Sequence, residues 1–439
     1  MARRYVVIGC GVAGLSAAET ILHQDPSGHL TIVSEDPHGY YSRPGLAYYF
    51  NRTIPEKQLF PRQGAFLYEM IPNRIRARVA QIFPEQHQVI LEDGRHLVYD
   101  RLLLATGSRS MPADFTGSDI VGVVSLYSLE DVRSMLKLVK QAKTAVVVGG
   151  GIIAIELAEG LAANRVHVDY FLRGDLFWSK ILDQAESRLV ERGLEHMGIC
   201  IHHHTQVAQT ISKQGVLTGV VTKTGEVVHC HILGVATGVL PQVELAVQAG
   251  LATDRGILVN EYLESSNADI FAAGDVARVC DSRTGEAWLE TLWPNARRQG
   301  HIAGANMTGD RQICEREVTL NAVRIGDIIT STIGAVERMG DTDISMFVSS
   351  DKKIWEMYRQ KVDVAHGDQI CRVRVLTDQQ TIVGAVVMGD QTPAHPLLQM
   401  IQEKIDFSLI YPRLADHPEL GVEEIVRFYQ REKFPYVLH

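Results

Sequence analysis

Two segments of the chain share one pattern of hydrophobic and polar positions. Each has a short apolar run, Tyr5–Ile8 in the first and Ala145–Val148 in the second, followed by a glycine-rich turn and then by apolar residues at helical spacing. Uninterrupted apolar runs of this length are typical of parallel strands that are covered on both faces. The pattern therefore predicts two strand–turn–helix modules and the α/β fold class.

The first turn carries Gly9, Gly11 and Gly14, and the following strand, Leu30–Val33, leads to Glu35, 21 residues after Gly14. Glycines at such positions permit a tight turn and let backbone N–H groups approach a pyrophosphate at the start of a helix. A carboxylate at this distance suits the hydroxyl groups of a ribose. The first module is therefore predicted to bind a dinucleotide.

The second turn repeats this arrangement with Gly149, Gly151 and Ala154, and Glu156 follows on the first turn of the predicted helix. Two such turns in one chain predict two bound dinucleotides. The simplest chemistry that joins two dinucleotides is electron transfer from a nicotinamide to a flavin.

Chain order indicates that the second module interrupts the first. A strand over Leu97–Leu104 ends in Ala-Thr-Gly, a later strand ends in the same three residues, and Asp269–Asp275 is predicted to return to the first sheet. From Val318 the pattern changes to alternating strands, which predicts an α+β domain. We predict helices over Leu129–Ala142, Trp293–Met307 and Pro396–Ile405 and three domains: residues 1–112 with 245–317, residues 113–244, and residues 318–439.

Composition excludes several classes of function. The 439 residues carry a net charge of −9, which gives no reason to expect nucleic acid or an anionic membrane as a partner. No apolar run approaches the ~18 residues that a membrane span needs. The six cysteines are scattered without Cys-x-x-Cys or iron–sulfur spacing, so we expect reduced thiols in a cytoplasmic protein.

The run His202–His204 is the one segment whose composition suggests a metal site. Successive side chains of a strand point to opposite faces, so three consecutive histidines on a strand cannot converge on one ion. We interpret the run as part of a strand and predict no bound metal.

Taken in order, the two glycine turns, the two Ala-Thr-Gly segments and Ala273-Gly274-Asp275 resemble the FAD/NAD(P)-dependent pyridine nucleotide-disulfide oxidoreductase family. Within it, Tyr41–Pro44 and Asn295–Gly300 are most similar to the ferredoxin and rubredoxin reductases and to the flavin-binding part of the NAD(P)H nitrite reductase large subunit. The resemblance implies two Rossmann-like domains, which bind FAD and NAD(P)H, and a C-terminal α+β domain that forms a homodimer interface.

The resemblance also assigns residues to each cofactor. FAD is expected to contact Gly9, Gly11, Val12, Ala13, Gly14, Glu35, Arg43, Pro44, Ala105, Thr106, Gly107, Gly274, Asp275, Trp293, Pro294, Asn295 and Ala296. NAD(P) is expected to contact Gly149, Gly151, Ile152, Ile153, Glu156, Arg173, Thr237 and Gly238. Glu156 is either a contact of the nicotinamide beside the flavin, which we take as its catalytic role, or only a favourable charge at a helix N-terminus.

The chain departs from the family in one respect that bears on mechanism. Pro44 stands where single-cysteine relatives have their thiol, and no cysteine occurs over Ser42–Tyr49. A mechanism through a protein disulfide or a cysteine sulfenate is therefore not expected. The leading acceptor is a rubredoxin, a ferredoxin or a nitrite reductase-like partner. The alternatives are an NAD(P)H oxidase or diaphorase that reduces dioxygen or quinones, and an NADH-sensing flavoprotein similar to apoptosis-inducing factor.

Nucleotide preference should depend on the end of the second module's next strand. NADH-preferring relatives usually have an acid where Leu172 stands, because a carboxylate there accepts from the 2′-hydroxyl and repels a 2′-phosphate. Arg173 follows, and a guanidinium can pair with a phosphate. Asp175 can instead bind ribose or neutralise Arg173. We predict that both nucleotides reduce the flavin, with a modest NADPH advantage.

Overall fold

The computed structural model of the protein describes residues 2–61, 69–283, 285–336, 352–361, 369–378, 381–406, 408, 410 and 421–433. The chain forms two compact units. The first comprises Met1–Ala113, Ser125–Lys137 and Thr237–Arg316, and the second comprises Asp114–Val124, Leu138–Ala236 and Glu317–His439. The assignment of residues 318–439 as a separate domain, like the other two boundaries, stays a prediction.

Strands outnumber helices in the described part of the chain. The strands are β1 Arg4–Ile8, β2 His29–Ser34, β3 Asn73–Arg76, β4 Val79–Phe83, β5 Gln88–Leu91, β6 His96–Val98, β7 Arg101–Leu104, β8 Ser108–Ser110, β9 Val123–Val124, β10 Thr144–Val148, β11 His167–Phe171, β12 Cys200–His202, β13 Val207–Lys213, β14 Val216–Thr222, β15 Val227–Val228, β16 Ile232–Val235, β17 Val239–Pro241, β18 Ile257–Val259, β19 Ile270–Ala272, β20 Ala277–Cys280, β21 Ala287–Trp288, β22 Leu320–Ile325, β23 Ile328–Gly334, β24 Lys352–Lys361, β25 Gln369–Asp378 and β26 Thr381–Met388. The helices are α1 Val12–Gln24, α2 Gly45–Phe50, α3 Leu129–Leu138, α4 Ile152–Ala163, α5 Gln184–His196, α6 Glu244–Gln248, α7 Trp293–Thr308, α8 Ala394–Gln402 and α9 Gly421–Lys433, and short 3₁₀ turns cover Glu56–Leu59 and Pro84–Gln86.

The first unit is built on a parallel five-stranded sheet in the order β3-β2-β1-β7-β19. Its central strand is buried on both faces, as the apolar run Tyr5–Ile8 predicts. Strand β19 pairs with β7 although the second module lies between them in the chain. The predicted return to the first sheet is therefore confirmed, and with it the interruption of the first module by the second.

Helix α7 packs along α1 in the first unit through two glycines. A Cβ atom on Gly300 would overlap the carbonyl oxygen of Ala13, and one on Gly304 would lie 2.7 Å from that of Ala17. The helices can approach this closely only because these positions carry no side chain. The start of α1 is thereby fixed against α7.

The second unit contains a parallel sheet of the same construction, in the order β12-β11-β10-β16-β9. A separate antiparallel sheet, β22-β23-β26-β25-β24, is formed by the C-terminal segment. Buried ion pairs join this segment to α5 of the same unit: Arg374 binds Glu186 through Nε–Oε1 and Nη2–Oε2 contacts of 2.9 and 3.1 Å, and Arg372 binds Asp183 at 2.6 Å. Asp183 and Glu186 also form the capping box of α5. The two carboxylates that fix the helix start therefore also bind the arginines of the sheet.

The α/β fold class is confirmed, but several predicted bounds are wrong. The single strand predicted over Leu97–Leu104 is two strands, β6 and β7, because Asp100 turns the chain and accepts from the backbone N–H of Arg4 at 2.7 Å. Helix α3 ends at Leu138 rather than Ala142. Strands β4, β5 and β13 and helix α9 are among the elements that the sequence pattern does not predict. Among the described helices, none is long and apolar enough to cross a membrane.

Candidate dinucleotide sites

The first glycine turn follows β1 and packs against Ala105, the residue after β7. Gly9 has φ +108°, and a Cβ there would overlap the carbonyl oxygen of Ala105; a Cβ on Gly14 would in turn overlap the oxygen of Gly9. By contrast, a Cβ on Gly11 would meet no atom within 4 Å. Two of the glycines are therefore needed for the backbone's own packing, and the third leaves space at the mouth of the turn.

That space lies at the N-terminus of α1. Gly11 is the N-cap and provides no side-chain hydrogen bond, and the first turn contains no acidic residue. The first N–H groups of the helix are thus not capped by the side chain at the N-cap, and they carry the positive end of the helix dipole. With Val12 and Ala13 following directly, the turn fits a pyrophosphate group.

Glu35 follows β2 directly, and its exposed side chain is accessible to the ribose of a bound dinucleotide. Its carboxylate lies 3.7 Å from the guanidinium of Arg78, which has the same distance to Glu92. An exposed ion pair of this length is weak and screened by solvent. Glu35 can therefore exchange this contact for a hydroxyl group.

Arg43 lies beside two tyrosines. Its guanidinium carbon is 5.6 Å from the ring centre of Tyr41 and 4.8 Å from that of Tyr127, and Nη1 donates to the carbonyl oxygen of Tyr127 at 3.0 Å. The side chain is nevertheless exposed to solvent, so donors remain for an anion. Pro44 is the N-cap of α2 and gives the chain a turn without a thiol at this place.

Gly274 and Asp275 follow the carboxyl end of β19. Gly274 has φ +82°, and its N–H donates to Oε1 of Gln299 at 2.8 Å; Asp275 accepts from the hydroxyl of Ser108 at 2.8 Å. Burial raises the pKa of Asp275, whereas Ser108 and Arg43 lower it. The carboxylate is thus held at a strand end with one oxygen already engaged, and the other oxygen can accept from a polyol chain.

The segment Ala105–Gly107 is held by hydrogen bonds to Gln242, which follows the second Ala-Thr-Gly in the chain. The hydroxyl of Thr106 donates to the carbonyl oxygen of Gln242 at 2.9 Å, and the amide of Gln242 donates back to that of Thr106 at 2.7 Å. Gly107 has φ +68°. Thr237 and Gly238, expected at NAD(P), belong to the first unit, where Gly238 accepts from the N–H of Met111 at 2.9 Å.

The segment Trp293–Ala296 begins α7. Trp293 is exposed, Pro294 occupies the first turn, and Asn295 and Ala296 are buried. Asn295 donates to the carboxylate of Glu290, so its role in the structure is to hold the helix start.

The structure brings the residues expected at FAD to the carboxyl end of the first sheet and the starts of α1 and α7. Sequence reasoning missed Ser108, Gln242, Gln299 and Glu290; the glycines four residues apart in α7 were the one signal that could have indicated its close packing.

The second turn is built like the first. Gly149 has φ +143°, and a Cβ there would overlap the carbonyl oxygen of Ala236, while Gly151 has nothing within 4 Å. Gly151 caps α4 without a side-chain hydrogen bond. Ile153, in the first turn of α4, is 37% exposed, which suits a residue that is covered only when a nucleotide is bound.

Two carboxylates of α4 differ from ordinary surface acids. Burial, followed by the negative charge of Glu159, raises the pKa of Glu156 to about 8. Burial raises the pKa of Glu159 to about 7, against a hydrogen bond from the backbone N–H of Gly326. Glu156 therefore carries a proton over much of the neutral range and can donate a hydrogen bond as well as accept one.

The end of β11 differs from that of β2. Leu172 is buried and Arg173 is exposed. Asp175 pairs with His204 at 2.7 Å. The interpretation of the histidine run as strand holds only for His202, because β12 ends there and His204 has φ +52°. The three histidines bind three separate carboxylates: His202 binds Asp169 at 2.8 Å, His203 binds Glu191 at 2.5 Å, and His204 binds Asp175.

The residues of the first turn fit FAD by two observations: Gly11 leaves an unfilled space, and the helix N-terminus beside it has no side-chain cap. No cysteine lies in α2. Cys10, within the turn, is buried and donates to the hydroxyl of Ser34 at 3.1 Å, and burial raises the pKa of its thiol. A buried protonated thiol is a packing residue rather than a redox centre.

Several known proteins resemble the chain. It is 31% identical over 307 residues to the 3-phenylpropionate/cinnamic acid dioxygenase ferredoxin–NAD(+) reductase component of Photorhabdus laumondii, which covers 70% of this chain and 77% of that protein. It is 27% identical to the nitrite reductase [NAD(P)H] of Bacillus subtilis, over 92% of this chain and 48% of that protein. The chain therefore spans about half the length of that enzyme.

Among solved structures, the putidaredoxin reductase in its covalent complex with putidaredoxin has a TM-score of 0.82 and 22% identity over 98% of this chain and 99% of that one. This likeness shows the fold. Residues 3–300 match the family described as pyridine nucleotide-disulphide oxidoreductase. The cradles for two dinucleotides and this match lead to one conclusion: the chain belongs to the pyridine nucleotide-disulphide oxidoreductase family and is an FAD-dependent NAD(P)H oxidoreductase.

Proposed function

We propose that this protein takes hydride from NAD(P)H onto FAD and passes electrons singly to an iron–sulfur carrier protein of the ferredoxin or rubredoxin class. Each nicotinamide supplies two electrons, so two carrier molecules are reduced and one proton is released per turnover. FAD supplies the change from two-electron to one-electron steps. The observation that carries the proposal is the combination of two dinucleotide cradles with a thiol-free segment Ser42–Tyr49.

The protein's own residues would bind and orient. The turn Gly9–Gly14 and the start of α1 would hold the pyrophosphate, Glu35 the adenosine ribose, and Asp275 the ribityl chain. Arg43, fixed by Tyr127, would contribute positive charge near the flavin or its phosphates. In the second module, Gly149–Gly151 would hold the nicotinamide dinucleotide, and Glu156 would contact its nicotinamide. No side chain is required as a nucleophile.

The relatives support a carrier protein as acceptor. Besides the dioxygenase reductase component, a protein named rubredoxin-NAD(+) reductase from Pseudomonas putida is 26% identical over 307 residues. A nitrite reductase-like partner belongs to the same proposal, because it also accepts electrons from a flavin module.

The C-terminal sheet supports a homodimer. Sedimentation at micromolar concentration tests this, and a monomeric mass would contradict it. The scattered cysteines support the cytoplasm as its compartment.

Nucleotide preference also belongs to this proposal. Arg173 is exposed at the end of β11, and Asp175, the residue that could neutralise it, is paired with His204. Both features support binding of a 2′-phosphate. We infer that NADH and NADPH both reduce the flavin, with a modest advantage for NADPH.

The experiment is an anaerobic stopped-flow titration followed by an acceptor panel. NADPH or NADH should bleach the oxidised flavin without a thiolate charge-transfer band, and reduced enzyme should be reoxidised much faster by a [2Fe–2S] ferredoxin or a rubredoxin than by dioxygen or a quinone. Alkylation of accessible thiols should leave the rates unchanged. Faster reoxidation by dioxygen would indicate an oxidase, and dimerisation by NADH without turnover a sensor; either result would overturn the proposal.

A further inference from the structure

Four side chains that can bind metals lie on one face of two neighbouring strands in the second unit. His167 and Asp169 are two residues apart on β11, and Cys200 and His202 are two residues apart on β12. In the parallel register Asp169 is opposite Cys200, and Phe171 is opposite His202. Because alternate residues of a strand point to the same face, the register makes these four residues one group, which we call the β11–β12 cluster.

The distances within the cluster suit a single ion. One ligand atom each of His167, Asp169 and Cys200 lies within 4.8 Å of the others, and Nε2 of His167 is 4.0 Å from Sγ of Cys200. Around a tetrahedral zinc ion, with bonds of about 2.3 Å to sulfur and about 2.0 Å to nitrogen, such atoms are roughly 3.5 Å apart. Side-chain rotations that bring the ligand atoms closer by roughly 0.5 to 1.3 Å therefore close the site.

His202 occupies the position of a supporting group. Its Nε2 lies 2.8 Å from Oδ1 of Asp169, and its ring packs edge-on against Phe171 at 5.4 Å between centres. A hydrogen bond to a ligating carboxylate fixes the orientation of that carboxylate, as partners of metal ligands commonly do. The second oxygen of Asp169 remains able to bind an ion.

The cluster is separate from the nucleotide site. Of the residues expected at NAD(P) in this unit, those of the second glycine turn and of α4 follow β10 and Arg173 follows β11, whereas His167 begins β11. His167 and Cys200 are both exposed and Asp169 is half-buried, so an ion can reach the group from solvent. No step of the proposed electron transfer uses any of the four residues.

We propose that the β11–β12 cluster binds one divalent ion of the zinc class, with His167, Asp169 and Cys200 as ligands, His202 as the residue that positions Asp169, and water as a fourth ligand. A thiolate, an imidazole and a carboxylate together are the donor set of zinc and chemically similar ions rather than of calcium or magnesium. The ion links the edge strand β12 to β11 and thereby stabilises the second module. This replaces the expectation of no metal, which rested on the run His202–His204.

The test is a competition titration of the thiol-reduced, metal-free holoenzyme with Zn²⁺ against a chromophoric chelator. We expect one Zn²⁺ per chain. Cys200→Ser and His167→Ala should each weaken binding at least tenfold, and His202→Ala should weaken it roughly tenfold, as loss of a supporting partner does. Two matched controls, Cys280→Ser in the first unit and His203→Ala beside the cluster, should bind Zn²⁺ like the unmodified protein.

Two further readouts keep the test independent of activity. Bound Zn²⁺ should protect Cys200 from alkylation in peptide mass spectrometry, and it should raise the melting temperature by about 5 °C at saturation, an effect that Cys200→Ser removes. Far-ultraviolet circular dichroism and flavin content show that each variant folds. Absence of stoichiometric binding, or binding that survives both Cys200→Ser and His167→Ala, would overturn the proposal.

Discussion

The two dinucleotide modules of this protein have the same turn but differ in what surrounds it. In both, the first glycine packs on an alanine carbonyl oxygen, and a later glycine opens onto empty space at an uncapped helix N-terminus. Around the first turn, α1 is fixed by the glycines of α7 and followed by Glu35. Around the second, α4 carries two acids with raised pKa values, and β11 ends in Leu172 and Arg173.

The difference teaches how one backbone motif is adapted to two functions. Around the first turn, close contacts between backbone atoms of α1 and α7 give a rigid cradle. The second cradle has an exposed Ile153 in the first turn of α4 and a half-buried Glu156 one turn further on. The prediction that Glu156 lies on the first turn is therefore wrong, because α4 begins only at Ile152. The second unit has additional support from the ion pairs of α5 with the C-terminal sheet.

The largest expected effect concerns that support. Arg374→Met should remove the cation nearest the buried carboxylate of Glu186, leaving only Arg372 at 3.7 Å, and lower the free energy of unfolding of the second unit by about 3–5 kcal/mol. Denaturant unfolding followed by circular dichroism measures this. Arg324→Met, which removes an exposed pair with Asp327 on the same sheet, is the control and should change stability little. Equal effects of the two substitutions would contradict a special role for the buried pair.

The next effect concerns the first cradle. Gly300→Ala should push α7 away from the Ala13 carbonyl, which costs ~1–3 kcal/mol of stability and reduces the FAD content of purified protein. Gly11→Ala is the matched comparison, since its Cβ meets no protein atom: the apoprotein should unfold as before, and only FAD affinity should fall. If Gly300→Ala keeps both full flavin content and stability, the close helix contact is not what holds this cradle.

A smaller effect depends on pH. The pKa of Glu156 is about 8 in the folded protein, against 4.5 for an ordinary glutamate. Between these pH values the folded state binds one more proton at this carboxyl than the unfolded state, so the free energy of unfolding falls as the pH rises from 4.5 to about 8. Glu156→Gln should therefore be more stable than the unmodified protein by ~1 kcal/mol at pH 8, with the advantage vanishing near pH 5. Thermal unfolding without nucleotide measures it. The exposed Glu195→Gln should show no such trend; a pH-independent difference for Glu156→Gln would refute the burial argument.

The smallest effect concerns Arg173. Arg173→Gln should lower the preference for NADPH over NADH by about threefold, since an exposed charge contributes little. The readout is the ratio of flavin reduction rates with the two nucleotides. Arg165→Gln, at the other end of β11, should leave the ratio unchanged. An unchanged ratio in Arg173→Gln would show that the exposed guanidinium does not read the 2′-phosphate.

The sequence by itself determined the modules, because their signals are local. A run such as Tyr5–Ile8 and a glycine such as Gly9 report burial and a positive φ within a few residues, so the fold class and the family followed from them. The return of β19 to the first sheet was also readable from its apolar run. The bounds of β6 and β7 were not, since the turn at Asp100 depends on a hydrogen bond to Arg4, far away in sequence.

Only the tertiary structure decided which distant side chains meet. Gln299 holds Gly274, Arg374 reaches Glu186, and Asp169 faces Cys200 through strand register, and none of these partners is close in sequence. Local patterns specify which residues are buried in a strand or helix. They do not specify strand register or helix contacts, because these depend on how whole elements pack. That packing determines the hydrogen bonds between distant residues, the pKa values of Glu156 and Glu159, and the cluster between β11 and β12.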